Sequence, residues 1–211
     1  MAATKRKNMN PRIERKITRI SGVREVKQTF LIICEGVNTE PDYFNAFRLT
    51  SATVKAIGQG MGTLALVQKA INIKELERQR GRTYNQNWVV FDKDDFPEND
   101  FNSAILSARQ NGFEVAYSNQ AFEFWFLLHF NLYQGALHRS RYEKMLSTLL
   151  GFAYTKKSGV SSKMFNALFL KQEQAINHAK TIMKQFDGNN PAQQESSTTV
   201  YRLVEELNNF L

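Results

Sequence analysis

Between Thr29 and Tyr117 short apolar runs alternate with longer amphipathic ones, and the pattern predicts strands and helices in turn. Thr29-Phe-Leu-Ile-Ile-Cys34 is almost wholly apolar and stops at Glu35-Gly36. A run of β-branched and aromatic residues that ends at a turn reads as a buried strand. Thr39-Glu-Pro-Asp42 predicts a helix start, with Thr39 as cap and Pro41 in the first turn. That helix is expected to reach about Leu49, with Tyr43, Phe44 and Phe47 inward. Ala52–Ile57 reads as a second strand, Gly58–Gly62 as a turn, and Thr63 as the cap of a helix to about Arg80. After a polar loop, Trp88–Phe91 is a third strand, followed at once by Asp92-Lys93-Asp94-Asp95. Pro97 interrupts regularity, Phe101–Gln110 is a helix closed by Gly112, and Phe113–Tyr117 is a fourth strand. The order β-α-β-α-β-α-β predicts a mostly parallel sheet with helices on both faces.

Beyond Ser118 the pattern is helical only. Phe122–Phe130 is apolar nearly all round and is expected to be buried. Arg141–Leu150 is amphipathic, Phe165–Phe186 reads as one long helix, and Thr199–Leu211 closes the chain after a polar loop at Asp187–Ser197. No internal repeat divides it. The expected organisation is a basic arm over residues 1–28 and one α/β domain over 29–211, whose C-terminal helices span about 122–211.

Composition narrows the classes. With 211 residues and 42% apolar content the chain can bury a real core, and global disorder is excluded. No apolar run of about 18 residues predicts a membrane span. The charged N-terminus lacks the apolar stretch of a secretory signal. Cys34, the single cysteine, sits in a predicted core strand, so no disulfide framework or cysteine–zinc cluster forms within one chain. A cytoplasmic protein is expected. Residues 1–29 hold nine Lys or Arg against two Glu, a net +7 out of a total of +8. The basic character therefore belongs to the arm, including Lys5, Arg6, Lys7, Arg12, Arg15 and Lys16. Such an arm suits a polyanion, whose bound counterions it releases; a solvated terminus fits it equally well.

The candidate chemistry lies in the acids. Sites in parallel α/β sheets form beyond the carboxyl ends of the strands, which is where Glu35 and the Asp92–Asp95 cluster fall. If the strand persists to Asp94, Asp92 and Asp94 project from one face about 7 Å apart along the chain. Carboxylates gathered in this way repel one another unless a hard cation lies between them. One or two Mg²⁺ or Mn²⁺ ions are the expected cofactor, with Asp95 as an outer ligand through water. Alone, the Asp92–Asp95 segment also fits an ordinary acidic turn, since Asp is common there; Glu35 at a second strand end favours the site. Gly36 permits a sharp turn and close approach of a phosphate. Glu35 is a candidate general acid/base or further ligand. Glu40 stands at a helix start whose N–H groups suit a phosphate; its charge opposes that unless it faces metal. Glu123 and His129 are the ionisable groups of Phe122–Phe130. Six helical residues set them about 120° apart, so a buried helix with a satisfied His competes with a role at the site. Tyr154, Lys156 and Lys157 form a basic-aromatic patch that suits a nucleic-acid groove or a solvated loop. His138 and His178 read as surface residues.

Ile-Ile-Cys-Glu35-Gly36 with Val-Val-Phe-Asp92-Lys-Asp94 resembles the Toprim signature, a Glu after one strand and a DxD after a later one. Cys34-Glu-Gly-Val-Asn-Thr-Glu-Pro-Asp-Tyr-Phe44, Phe122-Glu-Phe-Trp-Phe-Leu-Leu-His-Phe130 and Tyr154-Thr-Lys-Lys-Ser158 resemble the RloB-like family, over roughly residues 28–211. These are Toprim-related proteins found beside bacterial restriction and abortive-infection loci. The resemblance implies a Toprim-like α/β fold and a metal-dependent nuclease in anti-phage defence, with Glu35 as the Toprim Glu and Asp92 and Asp94 as the DxD pair. It implies DNA or RNA as the partner and raises a regulatory ATPase as a possible second one. The sequence assigns no oligomeric state.

Other readings fit less well. Val-Val-Phe-Asp92 looks like a Walker B strand, but no Gly-x-x-x-x-Gly-Lys-Ser/Thr occurs. Gly58-x-Gly60-x-Gly62 is one residue short of the dinucleotide-binding spacing. A haloacid-type phosphotransferase uses DxD but needs no upstream Glu-Gly strand end. The competing class is a non-catalytic nucleic-acid sensor or adaptor that kept the fold.

Overall fold

The computed structural model describes residues 27–157 and 160–211 of the chain. Of the expected arm, Lys5, Arg6, Lys7, Arg12, Arg15 and Lys16 lie outside these.

Four strands form: β1 (Gln28–Cys34), β2 (Ala52–Gly58), β3 (Gln86–Asp92) and β4 (Glu114–Ser118). They make one all-parallel sheet in the order β2-β1-β3-β4, with Ile32 level with Ala56 on one side and Trp88 on the other. The expected α/β sheet is the one observed. β1 and β3 occupy the centre because both their faces are covered. Leu31, Ile33, Val89 and Phe91 point to one face; Phe30, Ile32, Cys34, Trp88 and Val90 point to the other. A central parallel strand therefore reads as continuously apolar.

Helices follow each strand: α1 (Thr39–Asn45), α2 (Thr63–Gln79) and α3 (Glu98–Gln110). α2 and α3 pack through Leu66, Val67, Ala70, Phe101, Ala104 and Ile105 onto the face of Leu31 and Phe91. α1 packs on the opposite face through Tyr43 and Phe44. The chain thus reverses its winding between β1 and β3, and this point decides where the site lies.

The C-terminal helices α4 (Glu123–Leu127), α5 (Tyr142–Leu150), α6 (Val160–Leu168), α7 (Gln172–Met183) and α8 (Val200–Asn208) all build the α1 face. They explain the aromatic excess there: Tyr43 makes edge contacts with Phe44, Phe47, Phe122, Phe126 and Phe165. The long helix expected at Phe165–Phe186 is two, broken by a 3₁₀ turn at Phe169–Lys171. The break needs no Gly or Pro, because α6 packs on α1 whereas α7 packs on α4 and α8. Helix starts differ too. α1 begins after Asn38 and ends at Asn45, and α2 begins after Gly62, so neither Thr39 nor Thr63 is the cap.

Both sheet edges are covered, one by a side chain and the other by backbone. Asn45 mimics a neighbouring strand on β2, accepting from Ala56 N–H and donating to Ala56 C=O, each at 3.1 Å. At β4, the segment before α8 pairs Thr198 with Ser118 and gives Thr199 N–H to Tyr117 C=O at 2.8 Å. Unpaired edges invite association with other chains, and these contacts remove that hazard. Among the described residues, no helix is long and apolar enough to cross a membrane.

Candidate functional site

β1 and β3 end side by side where the winding reverses, the position at which open α/β sheets hold ligands. Glu35 directly follows β1, and its N–H donates to Val90 C=O of β3 at 2.8 Å. Its Oε2 accepts from the Asp92 N–H at 3.0 Å. Asp92, the last residue of β3, accepts from the Phe122 N–H through Oδ2 at 3.0 Å. Two acids 57 positions apart are thus fixed by backbone donors of the neighbouring strand and loop.

Three more acids surround them. Glu40, on the first turn of α1, is 4% exposed. Its carboxylate lies against Gly36, where any Cβ would overlap it; this explains the glycine in Glu35-Gly36. Glu123, at the start of α4, is 2% exposed and accepts from the Tyr154 hydroxyl at 2.9 Å and from Lys156 Nζ at 3.1 Å. Asp94 sits just past the strand with φ +43° and pairs with Arg139, which also reaches Asp95. Glu35, Glu40, Asp92, Asp94, Glu123 and Lys156 line one cavity of about 240 Å³.

Burial and crowding act together on these groups. Burial pushes the Glu35 carboxyl up to about 7, against the pull of the Asp92 N–H, and Asp94 and Glu40 push the same way. Burial likewise raises Glu40 to about 7; Glu123 adds to the rise, and its backbone hydrogen bonds and Lys156 oppose it. Asp92 is held well above the ordinary carboxylate range by burial, then by Glu40, Glu123, Asp94 and Glu35. Burial would lower the Lys156 ammonium, but Glu123 outweighs it and holds it raised.

Five carboxylates against two cations make a site short of positive charge, and its donors are hard oxygens that suit Mg²⁺ or Mn²⁺. As placed, no three His, Cys, Asp or Glu side chains among the described residues already form an ion-ready cluster. The fit is therefore one of charge and donor type. The Arg139 pairing keeps Asp94 engaged elsewhere.

Several expected placements change. Asp92 and Asp94 do not share a strand face, because β3 ends at Asp92 and the chain turns through a left-handed residue at Asp94. Asp95 points away from the cavity, its side chain 87% exposed and paired with Arg139. His129 is fully buried beside Trp125, with Nδ1 2.9 Å from the Trp125 carbonyl oxygen. Burial lowers it to about 4, and it does not line the cavity. Tyr154 is not a stacking platform. It is 3% exposed, with its ring against Phe126 and its hydroxyl on Glu123. Lys156 joins the cavity through Glu123, whereas Lys157 is exposed. His138 is exposed and bonded to Ser140; His178 is half-buried against the Leu128 carbonyl oxygen.

Arg139 is the site residue that sequence reasoning missed. It lies between two helices, its own N–H held by Gln120 at 2.8 Å, with no periodicity to mark it. The available signal was the acid-rich Asp92–Asp95 loop, in which Lys93 turns its ammonium to the Phe96 carbonyl at 2.6 Å and leaves the aspartates to a distant partner.

Among protein-family models, that of the RloB-like protein matches residues 30–207. No curated protein and no solved structure matches the chain. The chain belongs to the RloB-like family.

Proposed function

We propose that this RloB-like protein is a Toprim-type nuclease that hydrolyses phosphodiester bonds of DNA or RNA with one or two Mg²⁺ or Mn²⁺ ions. The observation that carries the reading is the junction of Glu35 and Asp92, two strand-end acids tied across the point where the winding reverses. The ion would be held by Asp92, Glu35 and Asp94, with Glu40 and Glu123 as the next oxygens in reach. When bound, it polarises the phosphate and acidifies water. Where it does not ligate the ion, Glu35 is the candidate proton carrier, held in place by the Asp92 N–H. Arg139 and Lys156 stand at the rim, where a phosphate oxygen would meet them. Family membership supports a place in bacterial anti-phage defence, in the cytoplasm, with an ATPase as a candidate regulator.

A second reading is a nucleic-acid sensor or adaptor without catalysis. It is favoured by one observation: Arg139 on Asp94 and Lys156 on Glu123 already neutralise part of the cluster.

The test is incubation of plasmid, single-stranded DNA and total RNA with and without Mn²⁺. The nuclease reading predicts cleavage that needs Mn²⁺ and disappears in Glu35→Gln and Asp94→Asn, both folded. Retained nicking by either variant removes that residue from the mechanism. Binding without cleavage by the wild type selects the adaptor.

A further inference from the structure

The carboxylate cavity has two neighbours. A second bay of about 310 Å³ shares Glu123 and Lys156 with it and adds His138, Arg139 and Ser140. Ser140 also lines a third hollow of about 490 Å³, which runs along α5 beside Tyr133. The shared walls put the three in one row.

The outer end of the row is built by one stripe of α5 together with Arg141, the residue before it. Arg141, Lys144, Met145, Thr148 and Leu149 follow the i, i+3, i+4, i+7, i+8 spacing of a single helix face. Tyr142 and Leu146, at 1% and 0% exposure, hold the other face in the core. Arg141 and Lys144 are exposed, and neither makes an ion pair with a described residue. From the acids outward the cations run Lys156, Arg139, Arg141, Lys144; Glu123 pairs with the first, Asp94 and Asp95 with the second, and Glu143, exposed beside the second bay, adds a further carboxylate.

We infer that this row is a track for a single-stranded polynucleotide, a surface that deepens the nuclease reading by naming the substrate class. An acidic cavity repels a polyanion unless cations hold the neighbouring phosphates, and Arg139, Arg141 and Lys144 stand where they would. The floor between the cations is apolar, from Met145 and Leu149, with the half-buried Tyr133 ring at its edge. Unpaired bases have faces to place on such a floor. A duplex keeps its bases stacked inside and gains only the charges.

The test is fluorescence anisotropy of the full chain in EDTA, with a labelled 12-mer as single-stranded RNA, single-stranded DNA and duplex. Both single strands, or one of them, bind more tightly than duplex. Arg141→Glu/Lys144→Glu weakens that binding at least tenfold and lowers the slope of log affinity against log salt by about 1.4, two single-strand phosphate contacts at about 0.7 each. Tyr133→Ala weakens single-strand binding and leaves duplex binding unchanged. A control reversal on the opposite helices, Lys69→Glu/Arg109→Glu, has less than a threefold effect. The inference is overturned if no oligonucleotide binds, if duplex binds as tightly, or if the α5 and control reversals weaken binding equally. Hydrolysis of bis(p-nitrophenyl) phosphate with Mn²⁺ separates the two claims, since it needs the acids but no track. If that activity is absent while the α5 reversal still abolishes strand binding, the track stands and catalysis does not.

Discussion

The Glu35 carboxylate accepts the Asp92 backbone N–H at 3.0 Å, so the acid ending one central strand is held by the backbone of the acid ending the next. Glu35 cannot leave the cavity without losing its contact with β3, and Asp92 cannot without losing the Phe122 N–H. The burial that this imposes, with Glu40 and Glu123 close by, keeps protons on groups that would ordinarily lose them.

Without divalent ions, the stability contributed by the buried acids of the cavity is expected to fall as pH rises. Folded Glu35 and Glu40 carboxyls titrate near 7 against an ordinary 4.5. Between those values the folded state keeps protons that the unfolded chain has released. Their contribution to stability therefore declines from about pH 4.5 to 7 and levels off above, while His129, lowered to about 4 by burial, contributes the opposite trend as pH rises toward 6.5. For buried Glu40 the difference corresponds to about 3 kcal/mol as an upper bound. Urea denaturation in EDTA checks this: Glu40→Gln gains stability at pH 8 and little at pH 4. A Glu40→Gln gain no larger at pH 8 than at pH 4 contradicts it.

Gly36→Ala places a methyl group into the Glu40 carboxylate. A cost of about 1–3 kcal/mol is expected, typical of overpacking. Thermal denaturation of Gly36→Ala, Glu40→Ala and the double variant forms a cycle. The double variant should be more stable than the sum of the single losses predicts, because the second change removes the clash. Strict additivity would place the strain elsewhere.

Arg139→Ala frees Asp94 and Asp95. The Arg139 side chain is 32% exposed and the aspartates are more open, so the loss of stability stays within about 1 kcal/mol. Mn²⁺ affinity rises, because a competing cation is gone. Calorimetric titration reads the change, and weaker binding would mean that the guanidinium supports the ion site instead.

Tyr154→Phe removes the hydroxyl donor of a Glu123 that is 2% exposed. Leaving that oxygen without a partner costs about 1–3 kcal/mol. Equilibrium unfolding measures it; a neutral effect would show that Lys156 alone satisfies Glu123.

Strand identity, strand order in the chain and the two strand-end acids were legible because each rests on local pattern: an apolar run, a stop, an acid. What failed depended on distant chain. Nothing near Phe169 marks the break between α6 and α7, which comes from packing on different partners. Asp94 leaves the face of Asp92 because β3 stops two residues earlier than the spacing argument needed. Tyr154 looked like part of a surface patch, yet it is buried because Glu123, 31 positions away, takes its hydroxyl. Arg139 became visible only once the sheet placed the Asp92–Asp95 loop beside it.

The most direct test of the central claim is thermal denaturation at pH 8 with and without Mn²⁺. If the five acids hold a divalent ion, saturating Mn²⁺ at about 100 times its dissociation constant adds about 2.7 kcal/mol, or roughly 5–10 °C for a chain of this size. Asp92→Asn should lose that rise. A wild type whose melting temperature ignores Mn²⁺, or an Asp92→Asn variant that rises as much, contradicts the account.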